Sequence, residues 1–277
     1  MRKIGVNIGV YPPDELKEHV QIIKNAGFEA AFLSFNTIEE TAERCKIVRE
    51  AGLEVDNLHS PFDGINNMWL EGEEGDHMLA RLMETVDCCA LLGLKKAVVH
   101  LSSGFVAPQV NDLGTARYDR LVAYGKEKGV QIVFENLRKL ANVAYAMERY
   151  PEAGFCWDSG HELCYTPGWE FMPLFGDRMT CIHLHDNLGI LDADQHLLPF
   201  DGARDWERAA RHIKASPYDG PIMLEIAYNP NFYGKLTLEQ YYARAYAAGE
   251  KLRDMIENIY KIGSQREPFF YLQKFST

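Results

Sequence analysis

Residues 130–158 read VQIVFENLRKLANVAYAMERYPEAGFCWD. The segment opens on an apolar run in which Ile132, Val133 and Phe134 lead to Glu135. It closes on a second run in which Phe155, Cys156 and Trp157 lead to Asp158, and the residues between read as a helix that stops before Pro151. Two short apolar strands separated by a helix predict a parallel βαβ unit, because parallel strands need a crossover connection and bury both faces.

The same alternation extends to both sides. Upstream, strands are expected at 3–8, 28–35, 53–58 and 95–101. Asp14 opens the first helix and Gly27 closes it, with Leu16, Val20 and Ile23 as the apolar stripe. Thr37 with Glu40 forms a capping box for the second helix, which ends at Gly52. A longer loop, 60–75, precedes a helix through Leu91 that stops at Gly93, and a helix from about Asn111 runs to Gly129. Downstream come a short helix around 169–175, a strand at 179–184, a helix at 205–214 and a strand at 222–226. A last long helix is capped by Thr237 and Gln240. Eight strand–helix pairs without a linker or composition shift predict an α/β fold, a single-domain (β/α)8 TIM barrel over residues 1–277. The aromatic-rich tail, 264–277, carries Phe269, Phe270, Tyr271, Leu272 and Phe275. It is expected to pack on the barrel or on a second subunit of a homo-oligomer, since leaving that much apolar surface wet is unfavourable.

Composition narrows the function classes. The chain has 277 residues, with 29 Lys and Arg against 40 Asp and Glu, a formal net charge of −11. With 47% hydrophobic and 25% charged residues it reads as globular, which excludes a disordered, fibrous or small disulfide-scaffold protein. The acidic balance argues against a general nucleic-acid binder, which neutralises phosphates with clustered Lys and Arg. Cys45, Cys88, Cys89, Cys156, Cys164 and Cys181 form no C-x-x-C pair and read as reduced core thiols of a cytoplasmic protein. No apolar run approaches the roughly 20 residues of a membrane span. Residues 1–10 lack the apolar core of a signal peptide.

The chemistry lies where the strands stop. His59, His100, Glu135, Asp158, His183 and Glu225 fall at the ends of the third to eighth strands. In a barrel these ends meet at one face, where active sites are built. His161 follows Asp158 by three residues, and Asp194 and His196 form an Asp-x-His pair after the seventh strand. His59, His100, His161, His183, His185 and His196 fall at that face, whereas His19, His77 and His212 fall on helices. A carboxylate ending an apolar strand is costly to bury without a partner or a cation. Imidazole mixed with carboxylate suits Zn, Mn, Fe or Co rather than Ca. His183 and His185 share a strand face, so either could be the ligand. His59, His100 and Asp194 stay open between a second metal, substrate contacts and support of the ligands.

With these motifs the sequence resembles the xylose-isomerase-like TIM barrels over nearly its whole length. That superfamily holds sugar and sugar phosphate isomerases and epimerases, inosose-processing enzymes and the type IV apurinic endonucleases (apurinic endonuclease family 2). The resemblance rests on Glu135, the Asp158-Ser-Gly-His161 turn, His183-Leu-His-Asp186, Asp194-x-His196 with Pro199 and Gly202, and Glu225. It implies Glu135, Asp158, His183 and Glu225 as ligands of one divalent ion (Mn, Zn, Mg, Co or Fe), with no organic cofactor. His-Leu-x-Asp selects His183 over His185. The endonuclease branch adds zinc ligands at positions matching His59, His100, His161, Asp194 and His196. Ketohexose epimerases carry a Glu where this chain has Ala141 and an Arg where it has Gly189, so a simple ketose 3-epimerase is in doubt.

The expected function is a metal-dependent isomerase or epimerase acting on a sugar, inosose or sugar phosphate through an enediolate. Glu135 and Glu225 are the expected bases on opposite faces of the substrate, and His161 is expected to hydrogen-bond a substrate oxygen. His59, His100, Asp194 and His196 are expected substrate contacts. Trp69, Phe62 and Trp157 are candidate apolar walls. Arg138, Arg204 and Lys235 could meet a phosphate, and each also reads as an ordinary surface residue. The alternative is a type IV apurinic endonuclease-like zinc phosphodiesterase acting on abasic DNA. Against it stand the net charge and the loops 102–111 and 188–200, which contain no Lys or Arg.

Overall fold

The computed structural model describes residues 1–259. From the N-terminus the chain forms β1 (Ile4–Ile8), α1 (Pro13–Ala26), β2 (Ala30–Ser34), α2 (Ile38–Glu50) and β3 (Glu54–His59). A 3-10 turn (Ile65–Trp69) leads into α3 (Glu73–Leu92), β4 (Lys96–Val99), α4 (Asp112–Lys128), β5 (Gln131–Glu135) and α5 (Leu140–Arg149). Then come β6 (Gly154–Asp158), α6 (Ser159–Tyr165), α7 (Met172–Phe175) and β7 (Met179–His183). The described chain ends with α8 (Trp206–Ala215), β8 (Ile222–Leu224), α9 (Pro230–Tyr233) and α10 (Leu238–Asn258).

From β1 to β7 each strand pairs in parallel with the next, and β1 also pairs with β8, so the order runs β7-β6-β5-β4-β3-β2-β1-β8. The ring closes just beyond β7. Leu184 N donates to Met223 O at 2.9 Å and Glu225 N to Leu184 O at 3.1 Å, making one bridge instead of a ladder. This is the TIM barrel the strand count predicts. The apolar strands are continuous because helices cover the outer face and side chains fill the inner one.

Period two along the strands builds the floor of the site. Val98, Val133, Cys156 and Cys181 pack as their own small cluster, separate from the main core. Two positions on, and therefore on the same inward face, stand His100, Glu135, Asp158 and His183. A dry layer thus supports a polar one. All six cysteines are buried and unbonded.

Two local expectations change. The Thr37 hydroxyl accepts from Glu40 N at 3.2 Å, but Glu40 gives its carboxylate to the Asn36 side chain, so only half of that capping box forms. Thr237 and Gln240 make both halves of theirs. The helix after β6 starts at Ser159, because the Asp158 carboxylate caps it through His161 N; the segment around 169–175 keeps only the single turn α7. Gly129 (φ 69°) ends α4 in the left-handed conformation and lets the chain turn straight into β5. No helix among the described residues is long and apolar enough to cross a membrane. The tail 264–277 lies outside the described residues.

Candidate metal and substrate site

A cavity of about 240 Å3 opens at the C-terminal ends of the strands. His59, His100, Glu135, His161, Asp194, His196 and Glu225 line it, with Phe62, Ser103, Leu137, Arg138 and Tyr165 around them. Hollows of about 570 and 750 Å3 lie elsewhere, one at the N-terminal strand ends around Lys96 and Thr180, the other between α7 and Arg208. Among the described residues, neither holds any of the His, Cys, Asp and Glu clusters that could bind a metal ion, so chemistry rather than size identifies the site.

Glu135 stands at the centre. Its Oε2 is 3.1 Å from His59 Nε2 and 3.0 Å from His100 Nε2, and its Oε1 is 3.0 Å from His183 Nδ1. His59 Nδ1 lies 2.9 Å from the carbonyl oxygen of Ser60. A carbonyl only accepts, so that nitrogen carries a proton. His59 Nε2 therefore faces the carboxylate either as a second N–H or as a lone pair with a cation between them. Asp194 repeats the arrangement. Its Oδ2 is 3.2 Å from His161 Nε2 and 3.1 Å from His196 Nε2, while their Nδ1 atoms bond Asn136 O (3.0 Å) and Glu225 O (2.8 Å). Tyr165 donates its hydroxyl to the same Asp194 oxygen at 3.0 Å.

Asp158 faces His185 Nε2 at 3.0 and 3.1 Å, and His185 stacks on His196 with centroids 4.0 Å apart. A Cβ on Gly160 would come within 2.0 Å of the His185 ring, so the Asp-Ser-Gly-His turn needs glycine there. Asn136, next to Glu135, locks the turn by accepting from Asp158 N at 2.7 Å and donating to Asp158 O at 2.9 Å.

The charges hold one another in place. Burial alone pushes the Glu135 carboxyl up, but the His183 charge and the His100, His183 and His59 hydrogen bonds hold it well below the usual range. Glu225 is likewise pushed up by burial and held below by His183, and Asp194 by His161 and His196. Burial works to discharge His161, yet Asp158, Asp194 and Glu135 raise it to about 10; His196 rises to about 9, chiefly through Asp194. For His100 burial wins over Glu135 and the pKa falls.

The residues fit a divalent cation. Ligand atoms of Glu135, Asp158, His183 and Glu225 all lie within 4.8 Å of one another. So do those of His59, His100 and Glu135, and those of His161, His185, Asp194 and His196. Glu225 Oε2, Asp194 Oδ1 and His183 Nε2 are buried without a hydrogen-bond partner. Imidazoles anchored at Nδ1 to carbonyls, with Nε2 turned towards carboxylates, are the usual support of metal ligands. The structure thus groups His183 with Glu135, Asp158 and Glu225, and His185 with the Asp194 set.

Two expected walls are not at the cavity. Trp69 is buried, donates its indole N–H to Leu101 O at 2.6 Å and lies on Gly114, where a Cβ would be 2.0 Å away. The 3-10 turn folds it back over α4 instead of over the mouth. Trp157 is fully buried on the outer face of β6 and donates to Glu162 at 3.0 Å. Phe62, half-exposed, does line the mouth and stacks on His100 at 4.8 Å. Tyr165 went unread in the sequence; its spacing of four from His161 puts both on one face of α6, which is the signal that could have found it.

The profile of the xylose isomerase-like TIM barrel family matches residues 20–257. An uncharacterized protein, y4fM of Sinorhizobium fredii, is 28% identical over 287 residues, covering 87% of this chain and 89% of that one. Among solved structures, the 3-keto-D-glucoside 4-epimerase YcjR of E. coli superposes with a TM-score of 0.70 at 18% identity, covering 91% of this chain and 100% of that one. An L-ribulose 3-epimerase gives a TM-score of 0.70 at 16% identity, covering 93% and 97%.

Proposed function

This chain belongs to the xylose isomerase-like TIM barrel family, and from that premise we propose that it is a divalent-metal-dependent isomerase or epimerase acting on a sugar, inosose or sugar phosphate. The observation that carries the reading is one small cavity lined by Glu135, Asp194 and Glu225, of which Glu135 and Glu225 also belong to a four-residue cation set. That solved sugar epimerases share the fold supports it.

A cation held by Glu135, Asp158, His183 and Glu225 would polarise a carbonyl and its neighbouring hydroxyl, lowering the cost of an enediolate. The chain's own groups move the proton. Glu225 Oε2 has His183 Nδ1 at 3.3 Å, against hydrogen-bond contacts to three imidazoles on Glu135, and is the freer base for the carbon next to the carbonyl. On the other face a proton would pass from the second N–H that His59 can present to Glu135 Oε2, and from that carboxyl to the carbon, while the proton taken by Glu225 leaves to solvent; removal and return on opposite faces is epimerisation. His161 and His196, both charged beside Asp194, can donate to substrate oxygens, and His59 and His100 border the same space. The test is incubation with ketoses, inososes and their phosphates in D2O. Deuterium should enter a carbon next to the carbonyl; turnover without deuterium would refute the two-base mechanism.

A second reading is favoured by one observation: the His59–His100–Glu135 and His161–His185–Asp194–His196 groups each have the composition of a further cation site. Two or three zinc ions there would suit phosphodiester hydrolysis. The net charge of −11 and the absence of Lys and Arg from 102–111 and 188–200 oppose a DNA substrate. Salt-sensitive cleavage of abasic duplex DNA by the zinc-loaded protein would promote this reading over the first.

A further inference from the structure

We propose that Arg138 reads a negatively charged group, a carboxylate or a phosphate, at the end of the substrate remote from the carbonyl. This rests on the sugar reading above and names the substrate class for it.

Among the described residues lining the cavity, Arg138 is the only Lys or Arg. Its guanidinium is held flat and oriented. The Tyr165 ring centroid is 3.6 Å from its central carbon and the Phe105 centroid 5.4 Å. One edge is tied to the loop after β7, where Nε and Nη2 donate to Asp192 Oδ1 at 2.9 and 2.6 Å. Nη1 makes no hydrogen bond of good geometry among the described residues, the nearest aromatic neighbour of the guanidinium is the Tyr165 ring, and the side chain lines the cavity. A planar fork with one edge fixed and the other free is pre-organised for an oxyanion.

Its place matches that role. Tyr165 stacks on His161 with centroids 4.8 Å apart and donates to Asp194, so the guanidinium ends a stack that begins at the reacting centre. The local field also calls for it. Three carboxylates, Glu135, Asp194 and Glu225, line the cavity, and Asp158 stands in the cation set beside it, on a chain of net charge −11, which would repel an anionic substrate unless a cation stood at the entrance. Asp192 modulates that cation. Its side chain is 50% exposed against 16% for Arg138, so it neutralises the guanidinium from the solvent side and can yield to an incoming oxyanion.

The competing account is that the Arg138–Asp192 pair only staples two loops. The two accounts separate by sign, since a staple breaks whichever partner is removed. Calorimetry on the Mn-loaded protein compares D-fructose, D-fructose 6-phosphate and a hexuronate. An anionic probe should bind about tenfold or more tightly than the neutral ketose. R138M should collapse that ratio, R138K should keep part of it, and D192N should increase it. Whichever anion shows the Arg138 dependence identifies carboxylate or phosphate. If R138M and D192N lower binding of all three probes alike, or neither anion outbinds fructose, the proposal is overturned. Because binding is read without turnover, an Arg138-dependent anion preference in a protein that exchanges no deuterium would sustain this proposal while sinking the isomerase reading.

Discussion

Glu135 and His183, 48 positions apart and on strands separated by β6, face each other across 3.0 Å in a space closed to solvent. Neither could stand there alone, because an isolated buried carboxylate or imidazolium costs several kcal/mol. Each is the other's partner, and both are ligand candidates for the same cation. The barrel floor and the candidate cation site are therefore one construction.

Glu135→Gln tests this most directly. The amide keeps the volume but turns a donor towards imidazoles that now face an anion, and it removes one charge from the cation set. Metal content should fall, and turnover should drop by at least about a hundredfold, with the far-ultraviolet dichroism unchanged. Undiminished metal content and activity would remove Glu135 from the centre.

How much of this is visible in the sequence follows from period and distance. The fourth to seventh strands each show an apolar residue two positions before their polar end, as in Val133 and Glu135 or Cys156 and Asp158, so the barrel and the site's inward layer can be read locally. The orientation of Trp69 cannot. The loop 60–75 is long, and nothing local shows that it folds back onto Gly114, a contact with a helix about 40 positions on. The separation of His183 from His185 is hidden for a related reason: both point inward, and only Gly160 on the neighbouring turn leaves room for the second ring.

The pH dependence of stability should change sign with metal. In the metal-free protein His161 and His196 rise to about 10 and about 9 on folding, above the roughly 6.5 of an unfolded histidine. Their contribution is full below pH about 6.5 and is lost as pH climbs through 9 to 10. Asp194 and Glu135 are depressed, so theirs is full above about pH 4 and fades only in strong acid. Chelator-treated protein should thus melt highest near pH 5–6 and fall by about 5 °C or more by pH 10. Added Mn or Zn binds deprotonated ligands, so its stabilising increment should grow from pH 5 to 8. A flat melting profile without metal would contradict the charged array.

Metal counting on His59→Ala, His100→Ala and Asp194→Ala decides how far the cation site extends. As cavity contacts for a sugar, these changes should raise KM about tenfold and leave the ion on Glu135, Asp158, His183 and Glu225. Loss of more than one ion per chain in the His59 or His100 variant would instead establish further cations and favour the phosphodiesterase reading.

The last prediction concerns Asp186, which touches neither cavity nor ligand. Its fully buried carboxylate accepts four hydrogen bonds: Asn187 N at 2.9 Å, Arg204 N at 3.0 Å, Phe200 N at 3.1 Å and Trp206 Nε1 at 2.8 Å. These pin both ends of the loop that carries Asp192, Asp194 and His196. Among the described residues, the non-glycine positions with positive φ are Asp192 (62°), His196 (46°) and Phe200 (76°), all in this loop. Such backbone strain persists only where the surroundings over-determine it. Gly202 belongs to the same knot, since a Cβ there would lie 2.3 Å from both Asp186 Oδ1 and Asn187 O. Asp186→Ala strands four donors and should cost about 3–5 kcal/mol, lowering Tm by roughly 10 °C. Gly202→Ala should destabilise through the clash while leaving the carboxylate in place. Both should release Asp194 and His196 before the barrel unfolds, so hydrogen exchange should quicken first at 187–205, with β5 still protected. Melting and exchange together decide the point: an Asp186→Ala protein with wild-type Tm and an unchanged loop would show that something else holds His196 to its strained backbone.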